Sequence, residues 1–346
     1  GPIPPYKMHF SLPFDIENVK SASPTIIGKT MSVIISEFFL KNKKYFTKYY
    51  KFITPGTPYA SNLEPLINNS KNFVLDLGMA EQHSVGFSVG MHLGGLKPIL
   101  FIQSTFLQRA FDQLIHDVSF MKVPLTIFCV RSGLAGHDSP THHGIYDLAY
   151  LKSIPNLKIY SPSSNLDLSK KLEKKFIKRN DNTKFEIILL PYEPLKSASF
   201  YNKKIFTDFD LFYKSSLIKS HSLKNMLIVT HVNQLDNSIK LGHKIVEADS
   251  LRVEIVCVKN LKPFNLNNIH LENYNKIVVI EEYSSINCIY SDVLSLINQT
   301  GKFIKNRSFN LGDKFIEPGD KNYLENKYSL NFNKIYKNLK KSSFIV

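Results

Sequence analysis

The sequence predicts an α/β protein built from two doubly wound, mostly parallel-sheet domains. Short apolar runs that end at glycine, proline or polar residues alternate with stretches of helical period, the pattern of strands joined by crossover helices. The alternation lapses between Pro191 and His221 and then resumes. A chain of 346 residues is also long enough for two cores. The expected partition is an extended segment over 1–24, a first domain over 25–192, a connection over 193–224 that can hold a hairpin, and a smaller second domain over 225–346.

In chain order, Ile27, Met31, Ile34 and Phe38 recur at helical spacing and define one buried stripe. Phe52 to Thr54 reads as a strand stopped by Pro55-Gly56. Phe73 to Leu77 is the next apolar run. Gly78 breaks it, and a helix starts at Ala80 with Glu81 in its first turn, where the macrodipole favours a carboxylate. Gly94-Gly95 stops that helix, and Pro98 to Gln103 fits a buried strand. Leu107, Ala110, Phe111, Leu114, Ile115 and Val118 form the clearest amphipathic helix, with Ser104 or Thr105 able to cap it. Leu125 to Val130 is a strand followed by a polar loop, Arg131 to Gly144; Leu157 to Tyr160 and Glu186 to Leu190 read as two more strands. In the second domain, Met226 to Thr230, Val253 to Val258 and Lys276 to Ile280 are strands, and Gln234 to Glu247 is a helix.

Composition narrows the function. The 44 Lys+Arg against 29 Asp+Glu give a formal charge of +15, which would suit an anionic partner. The lysines are nevertheless spread along the chain, with no arginine-rich arm or zinc-finger spacing, so nucleic acid is not the expected partner. Cys129, Cys257 and Cys288 are far apart and lack CxxC pairing, which argues for a reducing compartment and against a disulfide framework. No apolar run approaches the ~20 residues of a membrane helix, so no membrane partner is expected. Three histidines near Asp138 invite a metal reading, but neither HExxH spacing nor a cysteine cluster supports a metal site.

Four strings are specific: AEQH at Ala80 to His83, STFLQRAFDQ at Ser104 to Gln113, HDV at His116 to Val118, and SPTHHGIYDLAYLKSIPNLKIYSPSS from Ser139 to Ser164. They closely resemble the 1-deoxy-D-xylulose-5-phosphate synthase family of transketolase-like enzymes. The likeness is strong from Thr25 to Ser164 and weaker beyond, where VKNLKPFN and VIEEYSS are similar but lack the glycines that usually follow the acidic pair.

The resemblance implies thiamine diphosphate as cofactor, with Glu81 on the aminopyrimidine nitrogen, Phe106 stacked on that ring and Gln103, where relatives carry tyrosine, on the cofactor side. It implies pyruvate and glyceraldehyde 3-phosphate as substrates, with Arg109, Arg131 and Asp138 binding them, and His142 and His9 as catalytic histidines. The amino-terminal half, whose GDG motif holds Mg2+ and the diphosphate in relatives, is expected from a separate segment, in cis or as a second chain. A homodimer is implied, as is a place in isoprenoid precursor synthesis that also feeds thiamine and pyridoxal synthesis. The Lys, Asn and Ile bias suits an AT-rich, plastid-bearing parasite, hence a plastid (apicoplast-like) compartment, or the bacterial cytoplasm if the source is bacterial. Two departures stand out: GTPYAS replaces a glycine-rich turn after Thr54, and LPYEPL replaces a YPRG segment whose arginine binds phosphate, putting Tyr192 or Glu193 in its place. Two other readings stay open, a 2-oxo acid dehydrogenase β-type subunit and a non-catalytic assembly domain.

Overall fold

The structure is a computed structural model that describes residues 14–15, 20–21, 29–46, 48–69, 73–136, 139–178, 184–193, 202–213 and 224–345. His9 and Asp138 lie outside the described residues, as does most of the 1–24 segment.

Thirteen strands in two sheets position the site. They are β1 (Tyr50–Thr54), β2 (Val74–Asp76), β3 (Lys97–Gln103), β4 (Thr126–Ser132), β5 (Lys158–Tyr160), β6 (Glu186–Pro191), β7 (Asn202–Ile205), β8 (Phe209–Tyr213), β9 (Lys224–Thr230), β10 (Val253–Val258), β11 (Asn260–Lys262), β12 (Tyr274–Ile280) and β13 (Lys305–Phe309). The first sheet is seven-stranded, in the order β11-β5-β6-β4-β3-β1-β2, and parallel except at β11. The second is six-stranded, in the order β13-β12-β9-β10-β8-β7, with β8 and β7 antiparallel.

A parallel sheet covered on both faces needs strands that are apolar on both sides, which is why these runs lack polar alternation. Phe52, Phe101, Phe128 and Ile188 point to one face of the first sheet, against Phe39 of helix Met31–Lys41, Phe46 just after the turn Lys43–Tyr45, and Phe176 of residues 165–177. Ile53, Leu100, Ile102, Ile127 and Ile187 point to the other, in an apolar cluster that continues into Leu227, Val229, Val256 and Ile277 of the second sheet. At about 1.5–3 kcal/mol per buried large aliphatic side chain, this shared layer stabilises the packing of both sheets. Helices Leu235–Asp249 and Phe332–Lys341 cover the far side of the second sheet.

The structure departs from expectation in several places. The hairpin expected within the connection is present as β7 and β8; what was not expected is that it joins the second sheet through β10. β11 leaves the second unit and pairs antiparallel with β5 at the edge of the first sheet. Ile27, the first residue of the expected helical stripe, lies outside the described residues; the described helix runs Met31–Lys41, and the Thr30 side chain accepts from the Val33 amide. Neither Ser104 nor Thr105 caps its helix: Gln103 occupies the cap position without a side-chain bond, and Ser104 and Thr105 lie in the first turn, their hydroxyls bonded to Asp147 and to the Thr141 carbonyl. The stretch 104–120 is not one regular helix, since a tight turn at Gln108–Ala110 and a widened π-helical run at Leu114–Phe120 interrupt it. The apolar stripe survives, with Leu107, Ala110, Leu114 and Val118 fully buried.

Candidate active site

The carboxyl ends of β2, β3 and β4 face the same edge of the first sheet, the place where such folds gather polar groups. After β2 the chain turns through Gly78 and enters helix Glu81–Leu93. Glu81 opens that helix and is only 2% exposed, whereas Gln82 and His83 face outward. Its Oε2 lies 2.9 Å from Nη1 of Arg109, in the tight turn after β3. The contact is an ion pair without hydrogen-bond alignment, and the Arg109 side chain is 53% exposed, so solvent screens much of it.

Phe106 sits three residues past the end of β3. Its ring meets the His142 imidazole edge-on, with centroids 5.5 Å apart and planes at 79°. Arg131, on β4, adopts a left-handed conformation at φ 63° and lays its guanidinium 5.0 Å from the centre of the Tyr192 ring. Among the described residues, Gln103 Oε1, Arg131 Nε and His142 Nδ1 are buried without a hydrogen-bond partner, and Glu81 Oε2 has only the misaligned arginine. Each such atom costs about 1–3 kcal/mol when left dry, so several at one sheet edge mark a surface fitted to a polar ligand.

Behind these groups lies an acid that the sequence motifs did not single out. Asp147 is 2% exposed and accepts from Ser104 Oγ at 2.7 Å, Ser132 Oγ at 2.8 Å and the Leu148 amide at 2.7 Å. Burial pushes its carboxyl up to about 6, against the three donors. It ties β3, β4 and the segment after His142 into one frame. Gly144 is required there, because a β-carbon would strike Arg131 O and the Ser104 side chain.

The loop that carries His142 is held from the second unit. His143 Nδ1 accepts from the Gly136 amide at 3.0 Å, and its Nε2 donates to the Glu317 carbonyl at 3.0 Å. Gly319 N–H donates to Gly136 O, Ser284 N–H to Ile145 O, and Tyr146 Oη–H to Lys314 O. The double histidine of the PTHHG string thus splits its work: His142 faces the candidate site and His143 fastens the loop. Gly319, Ser284 and Glu317 carried no signal of this in the sequence.

A polar cavity of about 110 Å³ lies beside this loop, between Pro191 and Glu193 on one side and Asn233, Lys321 and Glu325 on the other. A larger one, about 420 Å³, lies in the second unit between Leu266–Leu271 and Leu296–Lys302 and contains no candidate site residue. Among the described residues, no helix is long and apolar enough to cross a membrane, and no group of three or more His, Cys, Asp or Glu could hold a metal ion.

The family described as transketolase, pyrimidine-binding domain, matches residues 40–192, the span that contains Glu81, Phe106, Arg109 and His142. Over those residues the chain is similar to the transketolase pyrimidine-binding domain. Along its length the chain is similar to 1-deoxy-D-xylulose-5-phosphate synthases. It is 33% identical to that of Dictyoglomus turgidum over 82% of this chain and 44% of the relative. It is 29% identical to that of Caldanaerobacter subterraneus subsp. tengcongensis over 94% of this chain and 50% of the relative. The chain therefore spans about half the length of the curated relatives it matches. Among solved structures, the fold is shared with a split-gene transketolase described as an inactive β4 tetramer, with TM-score 0.72, 17% identity, and coverage of 92% of this chain and 99% of that one. It is also shared with a transketolase from Campylobacter jejuni, with TM-score 0.68, 14% identity, and coverage of 92% and 48%.

Proposed function

We propose that this chain supplies the pyrimidine-binding and carboxyl-terminal parts of a 1-deoxy-D-xylulose-5-phosphate synthase, which decarboxylates pyruvate and joins the remaining two carbons to glyceraldehyde 3-phosphate. The observation that carries the reading is Glu81: a carboxylate held dry at a helix start, on the edge where Phe106 and His142 also stand. The unpartnered atoms of Gln103 and His142, with the misaligned Glu81 Oε2, fit a flat, nitrogen-bearing heterocycle such as the aminopyrimidine of thiamine diphosphate.

Bound there, thiamine diphosphate supplies a nucleophilic carbon and an electron sink for decarboxylation. Glu81 would hold a ring nitrogen through its carboxyl group, and Phe106 would fix the plane of the ring, a contact worth about 0.5–1.5 kcal/mol beyond burial. His142, beside Phe106, would take or give a proton at the substrate oxygen. Arg131 would meet a substrate carboxylate or phosphate with its fork. Arg109 has a different immediate partner, so its part is to hold Glu81 in register before it meets any anion.

Mg2+ and the groups that anchor the diphosphate are assigned to a further segment, in cis or as a second chain, and the working assembly to a dimer of such units. The match to 99% of a split-gene transketolase chain described as inactive supports the need for that segment. Titration calorimetry with thiamine diphosphate and Mg2+ tests this. Heat is expected only when the amino-terminal half is present, followed by carbon dioxide release from pyruvate and carbon–carbon bond formation with the triose phosphate. Reduction of a lipoyl carrier with no use of the triose phosphate would favour the dehydrogenase reading, and no heat at millimolar cofactor in the complete assembly would favour the assembly-domain reading.

A further inference from the structure

The acidic pair in VIEEYSS has no part in the scheme above, yet Glu281 and Glu282 are both fully buried at the end of β12. Their side chains part company. Glu281 accepts from the amides of Ile289 at 2.8 Å and Tyr290 at 3.1 Å, at the start of helix Ile289–Gln299. Glu282 instead reaches the first unit, where its Oε2 accepts from the Leu134 amide at 3.0 Å, a link between residues 148 apart in sequence. Asn233 Nδ2 donates both to that same oxygen at 3.2 Å and to the Ser132 carbonyl at 2.9 Å. Between these anchors lies Gly133, at φ +88°, and a β-carbon on it would strike Asn233 Nδ2 and come within 2.5 Å of Glu282 Oε2. Gly133 and Gly144 exchange backbone hydrogen bonds of 2.7 and 2.9 Å, so whatever holds Gly133 also holds the end of the loop next to His142 and His143.

The other oxygen of Glu282 is fully engaged as well. Its Oε1 accepts from Gln234 Nε2 at 2.6 Å and sits 2.8 Å from Lys321 Nζ. Burial works against the charge, but Lys321 and the hydrogen bonds outweigh it and hold the carboxyl below its ordinary range. An ionised carboxylate whose two oxygens are both taken up, spanning two units, costs far more to build than a packed leucine would. A leucine in its place could accept from neither the Leu134 amide nor Asn233.

We propose that Glu282, with Asn233, is a positioning residue that sets the 131–144 loop from the second unit and thereby aims Arg131 and His142 into the candidate active site. The second unit is then part of the site, acting through the loop and never touching the substrate. The functional half of this proposal rests on the reading of the first unit as the catalytic half of a thiamine enzyme; the positioning half does not.

The experiment compares the full chain with Glu282→Ala, Glu282→Gln and Asn233→Ala. Amide hydrogen exchange of the free chain, without cofactor, reads positioning directly. Glu282→Ala and Asn233→Ala should speed exchange at 133–136 by about tenfold, the loss of one buried hydrogen bond, while β4 and β12 stay protected. Glu282→Gln, which keeps an acceptor for the Leu134 amide, should restore most of the protection. In the assembly with the amino-terminal half, Glu282→Ala and Asn233→Ala should lower kcat by about tenfold or more, with KM for pyruvate altered by less, and shift the pH profile of turnover. If Glu282→Ala unfolds because Lys321 loses its nearer carboxylate and keeps only Glu325 at 3.9 Å, Asn233→Ala keeps the Glu282–Lys321 pair and decides the question. Unchanged exchange at 133–136, or exchange that rises equally in β4 and β12, would overturn positioning. Released loop amides with kcat and pH profile unchanged would overturn the link to the site. An inactive wild-type assembly would refute the proposed activity and, with it, the functional half, while the exchange data still decide the positioning half.

Discussion

Arg109 Nη1 lies 2.9 Å from Glu81 Oε2, joining the first turn of helix Glu81–Leu93 to the tight turn that follows β3. One partner is buried and the other is half in solvent. Glu81 thus keeps a counter-charge close by without being locked into hydrogen bonds that a ligand would have to break.

Glu81→Gln should leave the fold intact and lower activity of the complete assembly by about a hundred- to ten-thousand-fold, the usual cost of losing a group that shares a proton. Arg109→Met should lower chain stability by under about 1 kcal/mol, because the exposed end of the pair is screened. Steady-state rates and urea denaturation check the two. Retention of more than half the activity in Glu81→Gln would remove Glu81 from the mechanism.

Stability should respond to pH through two buried groups with opposite signs. Asp147 is raised to about 6 from 3.8 by burial, so the native state binds more protons than the unfolded chain between those values. Its contribution is full below pH 4 and is lost as pH rises through 6, about 3 kcal/mol in all. His231 is lowered to about 4 from 6.5, chiefly by burial, with its ring stacked on Tyr283 at 4.7 Å. Its contribution is present above pH 6.5 and is lost as pH falls through 4. Urea midpoints measured from pH 4 to 8 should therefore rise at the alkaline end for Asp147→Asn, and fall less steeply toward acid for His231→Phe. Parallel curves for wild type and both variants would contradict the two assignments.

Lys259 is 2% exposed and sits between Asp210 at 3.0 Å, Asp167 at 3.5 Å and the Phe206 carbonyl at 2.6 Å. Asp167 belongs to the first unit, while Lys259 and Asp210 belong to the second. Breaking such a buried pair from one side leaves a charge without compensation, so Lys259→Met should cost about 3–5 kcal/mol in chemical denaturation. A change below about 1 kcal/mol would mean that Lys203, 2.5 Å from Asp210, suffices.

His143→Leu should cost about 1–3 kcal/mol, since the buried Gly136 amide would lose its acceptor and the half-buried Glu317 carbonyl its donor. His142→Leu should cost less than that in stability and far more in turnover. Equal effects of the two substitutions on stability and on rate would erase the division of labour between them.

The apolar runs, the helix that starts at Glu81 and the strings around Phe106 and His142 were legible in the sequence, because strand and helix periods and motif chemistry are written over neighbouring residues. For the same reason the alternation identified two mostly parallel sheets. What the sequence could not carry were pairings between distant positions. β11 crosses to the first sheet, β7 and β8 extend the second, and the helix after β3 is broken by a tight turn and a π-helical run where the apolar stripe has to stay on the core. Asp147 looks like one more acid in a motif until Ser104, at the start of the helix after β3, and Ser132, at the end of β4, close on it. Glu282 is visible as half of an acidic pair, but only the packing of the two sheets against one apolar layer brings it to the Leu134 amide, and a hydrogen bond across 148 residues leaves no local trace. Local chemistry chose the candidate residues, and long-range burial, which makes an unpaired polar atom expensive, decided which of them face each other.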